Sequence, residues 1–152
     1  MPSVEYKCFS GQPSKEVLAW VTHINQEIFQ FHETAERLSE LFSSKQKVVI
    51  LLAFEQGEPV GFKIGFEAEP WCLESWRGGV LPLSRRQGIA TKLMEMQHQW
   101  CVENQMKTIK TVTNSDNTAM LILNLRHGFE IVGSYVNRRK RLKILQEKWL
   151  LG

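Results

Sequence analysis

The amino-acid sequence predicts a mixed α+β fold, a mostly antiparallel central sheet of six to seven strands carrying about four helices. Two patterns lead there. "KVVILLAF" (residues 47–54) is a nearly continuous β-branched and aliphatic run, as expected of a buried strand. The turn "EQGE" and the alternating stretch "PVGFKIGF" (59–66) fold it back as an antiparallel hairpin. Further on, a strand, a long amphipathic helix and another strand follow one another, and such a crossover makes one locally parallel pair in the sheet.

The 152 residues, 43% hydrophobic and 23% charged, suffice for one domain with its own core, and no repeat, low-complexity tract or Pro/Gly/Ser linker divides residues 1–152. The net charge of +3 is too mild to argue for nucleic acid but suits a small anionic ligand. Cys8, Cys72 and Cys101 are odd in number, widely spaced and without a CxxC pair. They read as reduced thiols of a cytoplasmic protein rather than as a disulfide framework, and no metal site is expected. "MPSVEYKCFS" lacks the apolar core of a secretory signal, and no stretch approaches the ~18 apolar residues of a membrane span. The expectation is a soluble cytoplasmic domain without membrane contact.

Residues 14–42 are helical in pattern. Val17, Leu18, Val21, Ile24, Ile28 and Phe29 recur at three- and four-residue spacing, and Leu38, Leu41 and Phe42 resume it, so two helices are expected. Ser14, after Pro13 and with Glu16 close behind, is the expected N-cap. After the hairpin, "LESWRGGV" (73–80) is a third strand interrupted by Gly78 and Gly79, where a bulge is easiest. Residues 86–104 form the long helix, with Ile89, Leu93, Met96 and Trp100 on one face. "KTIKTVT" (107–113) is a strand, and Asn117 to Arg126 a helix ended by Gly128. "FEIVGSY" (129–135) and "LKILQEKWL" (142–150) close the chain, joined by the basic turn "VNRRKR".

The stretch "LSRRQGIATKLM" (83–94) is oddly built, because two arginines lead into a helix whose N-terminal dipole is already positive. First-turn N–H groups lack intrahelical acceptors, Gly88 and Ala90 let backbone approach closely, and Arg85 and Arg86 can grip an anion bidentately. That is a cradle for phosphate oxygens. Solubilising a surface turn is the plainer alternative.

"GGVLPLSRRQGIATKLM" (78–94) resembles the acyl-CoA-binding motif of the GCN5-related N-acetyltransferases, and "NTAMLILNLRHGF" (117–129) resembles the same family's second signature, an Asn opening a helix with Gly-Phe downstream. The similarity runs in order from about residue 47 to the C-terminus. It implies an acetyl-CoA-dependent N-acetyltransferase acting on a primary amine of a small molecule or peptide by direct attack, on a sheet whose strand splays at Gly78–Val80. The diphosphate of the cofactor would lie on Arg85, Arg86, Gln87, Gly88, Ile89 and Ala90. Main-chain groups of Gly78 and Val80 would pair with pantetheine, Asn117 would touch the cofactor near that arm, and the Val80 N–H would hold the oxyanion.

Two departures stand out. Where many members carry a tyrosine that protonates the leaving thiolate, this chain has Asn124, which could at most orient the sulfur or a water. Tyr135 is a weaker substitute. Where some carry a glutamate base, this chain has Val112, which leaves Glu74 as the first candidate base, with Glu67 and Glu69 as alternatives. Trp71 and Trp76 could line the acceptor opening or simply pack. His98, His127 and Cys101 read as structural. The missing tyrosine and glutamate keep open a second reading, an acyl-CoA-binding module without catalysis. A nucleic-acid module built on "RRKRLK" (138–143) is a third, disfavoured against a solvated turn. The acceptor cannot be read, and a homodimer is compatible.

Overall fold

The computed structural model describes residues 3–150. They build one seven-stranded sheet in the order β1-β2-β3-β4-β5-β7-β6 with four α-helices. The chain runs β1 (Val4–Ser10), α1 (Lys15–Ile28), α2 (Ala35–Ser43), β2 (Gln46–Glu55), β3 (Glu58–Glu69), β4 (Cys72–Val80), α3 (Ile89–Glu103), β5 (Thr108–Asn114), α4 (Thr118–Arg126), β6 (Glu130–Val136) and β7 (Leu142–Trp149). The β4–β5 pair is parallel and every other pair antiparallel.

β1 is the element the sequence pattern did not announce. "VEYKCFS" alternates only weakly between half-buried and exposed positions, because it is an edge strand and pairs with β2 alone, from Val4↔Glu55 to Ser10↔Val49. Its presence makes β2 an interior strand, and Val48 to Phe54 are buried without a break. The unbroken apolar run is two interleaved sets. Val48, Ile50, Leu52 and Phe54 meet Val17, Val21, Ile24, Leu38 and Phe42 of α1 and α2. Val49, Leu51 and Ala53 meet Ile89, Leu93, Met94 and Cys101 of α3 on the other face.

Local chemistry explains the helix ends. Ser14 Oγ and Thr34 Oγ1 each accept from a main-chain N–H three residues on, at 3.2 Å, which opens α1 and α2. Between the helices Phe29 is extended, so the helical pattern of residues 14–42 is interrupted over 29–34. Gly128, at φ +93°, follows the C-cap His127 and ends α4. α3 begins at Ile89, three residues later than the amphipathic pattern suggests. Arg86 (φ +66°) and Gly88 (φ +78°) are left-handed, and neither conformation can sit inside a right-handed helix.

The bulge in β4 lies at Trp76, not at Gly78 and Gly79. The register passes from Gly65↔Ser75 to Ile64↔Arg77, leaving Trp76 unpaired, while Gly78 and Gly79 pair regularly with Lys63 and Phe62. The glycines serve clearance instead. A Cβ on Gly78 would lie 3.1 Å from the Phe62 carbonyl oxygen, and one on Gly79 would lie 2.9 Å from Ile28 Cδ1. The extra residue also reverses the parity of the strand: Leu73 faces α3 before it, and Val80 does after it. Among the described residues, no helix is long and apolar enough to cross a membrane.

Gly65 tests the packing beneath α3. A Cβ there would stand 2.8 Å from Leu73 Cδ2 and 3.2 Å from the Glu74 carbonyl oxygen. Gly65→Ala should therefore destabilise the fold by about 1–3 kcal/mol through overpacking, read as a lower urea midpoint at unchanged slope.

Candidate active site

The site begins where two parallel strands part. β4 and β5 are paired only from Cys72↔Thr108 to Ser75↔Thr111, and Thr111 Oγ1 donates to the Ser75 carbonyl at 3.0 Å. Beyond that tie β4 continues to Val80 against β3, and β5 continues to Asn114 against β7. A wedge opens between them. The β5-facing edge of residues 76–80 has no strand partner. Leu81 donates to the Val60 carbonyl of β3, and Arg85 Nε donates to the Val80 carbonyl at 2.9 Å. Strand alternation therefore turns the amides of Gly78 and Val80 toward the open edge.

The wedge holds a cavity of about 450 Å³. Phe62 and Lys63 of β3 and Gly78, Gly79 and Val80 of β4 form its floor. Arg85, Arg86, Ala90 and Leu93 bound it on the α3 side, and Asn117, Met120 and Leu123 on the α4 side. Ile28 and Phe29, at the end of α1, close it from the opposite face, a contribution the sequence did not point to.

The loop at its mouth is set up for an anion. Among the described residues, none of the main-chain N–H groups of Arg86, Gln87, Gly88, Ile89 and Ala90 donates to a protein acceptor. Nothing lies within 4 Å of a Cβ built on Gly88, so the loop is open on the side where a side chain at 88 would stand. Five unsatisfied donors at a positive helix end, with Arg85 and Arg86 beside them, favour a polyanion such as a diphosphate. Arg85 has a second task, since its bond to Val80 fixes the loop to the end of β4. Asn117 lines the cavity and caps α4, its Oδ1 accepting from the Met120 N–H at 3.3 Å.

Other expected residues lie elsewhere. Asn124 is buried outside the cavity, donating through Nδ2 to Gln146 Oε1 at 2.9 Å, while Gln146 Nε2 donates to the Leu121 carbonyl. It ties α4 to β7. Glu74 is half-buried, paired with Phe66 and Lys110 on the α1/α2 face, and does not line the cavity. Tyr135 and Val112 are exposed. Glu67 accepts from the Trp71 N–H at 3.3 Å and pairs with Lys47, so with Glu69 and Trp71 it belongs to the β3–β4 turn at the far end of β4 from Val80. Trp76 packs edge-on against Phe42. In the basic hairpin, Asn137 Oδ1 accepts from the Arg139 and Arg141 amides, and Arg141 pairs with Asp116.

Lys63 is the polar residue that the sequence reading missed. Its signal is a lysine inside the apolar stretch "GFKIGF". Desolvation lowers its pKa from the usual 10.5 to about 8. Behind it His98 stacks near Phe129, with Nδ1 3.0 Å from Lys148 Nζ. Burial first, then the nearby charges of Lys148, Lys63 and His127, push His98 down to about 3, so it stays neutral. Burial drives the Cys101 thiol up to about 12, so it is inert.

The acetyltransferase (GNAT) family model matches residues 15–129. No curated protein sequence matches the chain. Among solved structures, the ribosomal-protein-S18-alanine N-acetyltransferase from Escherichia coli superposes with a TM-score of 0.80 at 15% identity, covering 96% of each chain. An N-acetyltransferase from Staphylococcus aureus Mu50 gives 0.77 at 20% identity, over 95% of this chain and 99% of that one. The PaiA N-acetyltransferase from Thermoplasma acidophilum, in complex with coenzyme A, gives 0.74 at 15% identity, over 97% and 99%. At these identities the likeness is one of fold.

Asn124 separates a structural from a chemical part. Asn124→Ala leaves the buried Gln146 amide without its partner and should cost about 1–3 kcal/mol in chemical denaturation. Coenzyme A affinity, measured by calorimetry below the unfolding transition, should stay unchanged.

Proposed function

This chain belongs to the acetyltransferase (GNAT) family, whose acyl donor is acetyl-CoA, and from that premise we propose that it transfers the acetyl group to a primary amine of a small molecule or peptide by direct attack. One observation carries the reading: the unpaired amides of residues 86–90 stand beside the open edge of β4, so a single extended ligand with a diphosphate at one end can use both. Amides 86–90 and the guanidiniums of Arg85 and Arg86 would take the diphosphate. Gly78 and Val80 would pair with pantetheine amides as an added strand does. The Val80 N–H would then face the carbonyl oxygen and stabilise its developing charge. A structural neighbour from Thermoplasma acidophilum carries coenzyme A on the same fold, which supports the choice of donor.

The acceptor approaches from the side closed by Ile28 and Phe29, an apolar wall. Its nitrogen must be neutral to attack. No carboxylate, imidazole, phenol or thiol lines the cavity among the described residues, so water takes the proton. Glu74 stands four residues before Gly78, roughly 13 Å along the strand, and any relay to it runs through solvent. That none of these four groups lines the cavity favours a second reading, a domain that binds acyl-CoA without turning it over. Release of coenzyme A in the presence of a panel of amines and peptides decides between them: binding with no release on any acceptor supports the silent module.

Gly88→Val tests the cradle. It puts a branched side chain at a left-handed position and on the open side of the loop. Coenzyme A affinity should fall roughly a hundredfold, the equivalent of losing one or two hydrogen bonds to a charged group. Unfolding should shift by only the ~1–2 kcal/mol of a strained backbone. Wild-type affinity in Gly88→Val would move the diphosphate elsewhere.

A further inference from the structure

The leaving group still lacks a proton donor: a carboxamide is no acid, and the Asn124 amide is in any case turned to Gln146. Lys63 projects from β3 into the cavity from the α3 face, directly opposite Gly78. The Lys63 stem lies alongside the glycine, in van der Waals reach of where a Gly78 Cβ would be, 3.5 Å from Lys63 Cγ. Among the described residues, its amine makes no ion pair and no hydrogen bond. Arg85 and Arg86, the other cations at the cavity, stand at the mouth and are permanently charged. The titratable group it faces on α3 is His98, which is itself 3.0 Å from Lys148 of β7. An unpartnered ammonium held in an apolar wedge awaits an anion.

We propose that this anion is the thiolate of coenzyme A, and that Lys63 is a catalytic residue which protonates the sulfur as it departs. The inference rests on the acetyl-transfer reading above. As the C–S bond breaks, its electron pair moves to sulfur. Lys63 Nζ gives that sulfur a proton and becomes a neutral amine. The proton shed by the acceptor nitrogen passes to solvent, and solvent returns one to Lys63. Desolvation has brought the lysine to about 8, close to the ~8.5 of a thiol, so the transfer is nearly balanced in both directions. His98, held neutral, does not compete for the proton.

The test titrates the thiol of coenzyme A bound to the intact protein, followed by the ultraviolet absorbance of the thiolate, and needs no acceptor. On the wild type the bound thiol should ionise roughly one pH unit or more below its free value of about 8.5. On Lys63→Met the depression should vanish, and on Lys63→Arg, which keeps the charge, it should return. Desulfo-coenzyme A should bind the wild type and Lys63→Met equally. With an amine acceptor in hand, Lys63→Met should lower kcat at least about tenfold at nearly constant KM for acetyl-CoA. Lys63→Arg should not rescue it, because a guanidinium does not release its proton. An undepressed thiol on the wild type, or equal loss of coenzyme A and desulfo-coenzyme A affinity in Lys63→Met, would overturn the proposal. So would an acetyl group recovered on Lys63 Nζ after incubation with acetyl-CoA, because the lysine would then be an acceptor. A wild type that binds neither coenzyme overturns the acetyl-transfer reading and this inference with it.

Discussion

The structure turns on an interaction that stops. β4 and β5 share four residue pairs and then diverge at Ser75 and Thr111. Continuing the ladder to Val80 would satisfy the main-chain groups of residues 76–80, as an interior sheet position normally requires. Instead β5 is drawn away along β7, with which it pairs from Thr108 to Asn114, and β4 stays with β3. An unpaired strand edge inside a sheet is costly unless water or a ligand satisfies it. That cost makes the edge a receptor: whatever brings amides of its own recovers hydrogen bonds that the fold left unmade.

The cradle at the mouth extends the same principle from an edge to a helix end. Arg86 and Gly88 both take left-handed backbone, which delays the start of α3 until Ile89 and leaves a run of N–H groups without acceptors. Arg85 then ties this loop to the last carbonyl of β4. The spacing between the two sets of unpaired donors is thus fixed by the protein before any ligand arrives. A ligand using both sets would meet donors already in place, which lowers the ordering cost of binding.

Much of this was legible in the sequence. Composition marked β2 as an unbroken apolar run, period marked α3 by the face it buries, and turn and cap residues marked the hairpin and the end of α4, whose own buried residue is Asn124. "RRQGIA" pointed to a helix start whose first amides find no protein acceptor, although a solubilising turn would read the same by itself. What escaped depends on partners distant in sequence. β1 is an edge strand with a faint alternation, and only its pairing with β2 reveals it. Asn124 carried a chemical reading because of where it stands in a motif, yet its partner Gln146 lies 22 residues away and takes its amide into the core. The glycine pair suggested a bulge, whereas the bulge is at Trp76 and the glycines yield space to the Phe62 carbonyl and to Ile28. Lys63 itself looked like the polar half of an alternating strand.

The bulge at Trp76 explains why the cavity has two walls of different character. Strict alternation would have put Arg77 on the α3 face; the extra residue turns Trp76 and Arg77 both toward α1 and α2. There the Arg77 guanidinium lies 4.2 Å from the Trp76 ring centroid and 5.9 Å from that of Phe29, and pairs with Glu33 in the α1–α2 loop. Partial burial alone would raise the Glu33 pKa, but the hydrogen bond and charge of Arg77 outweigh it and hold the carboxyl below its usual range. A partly solvated pair of this kind adds little stability, and its effect is one of position. It pins residues 29–34 to β4, which sets Ile28 against Gly79 and completes the apolar wall of the cavity on that face. The same inserted residue turns Gly78 toward α3, the face on which Lys63 lies. One unpaired residue in one strand thus sets Trp76 and Arg77 against α1 and α2 and aligns Gly78 with the face on which Lys63 of β3 stands.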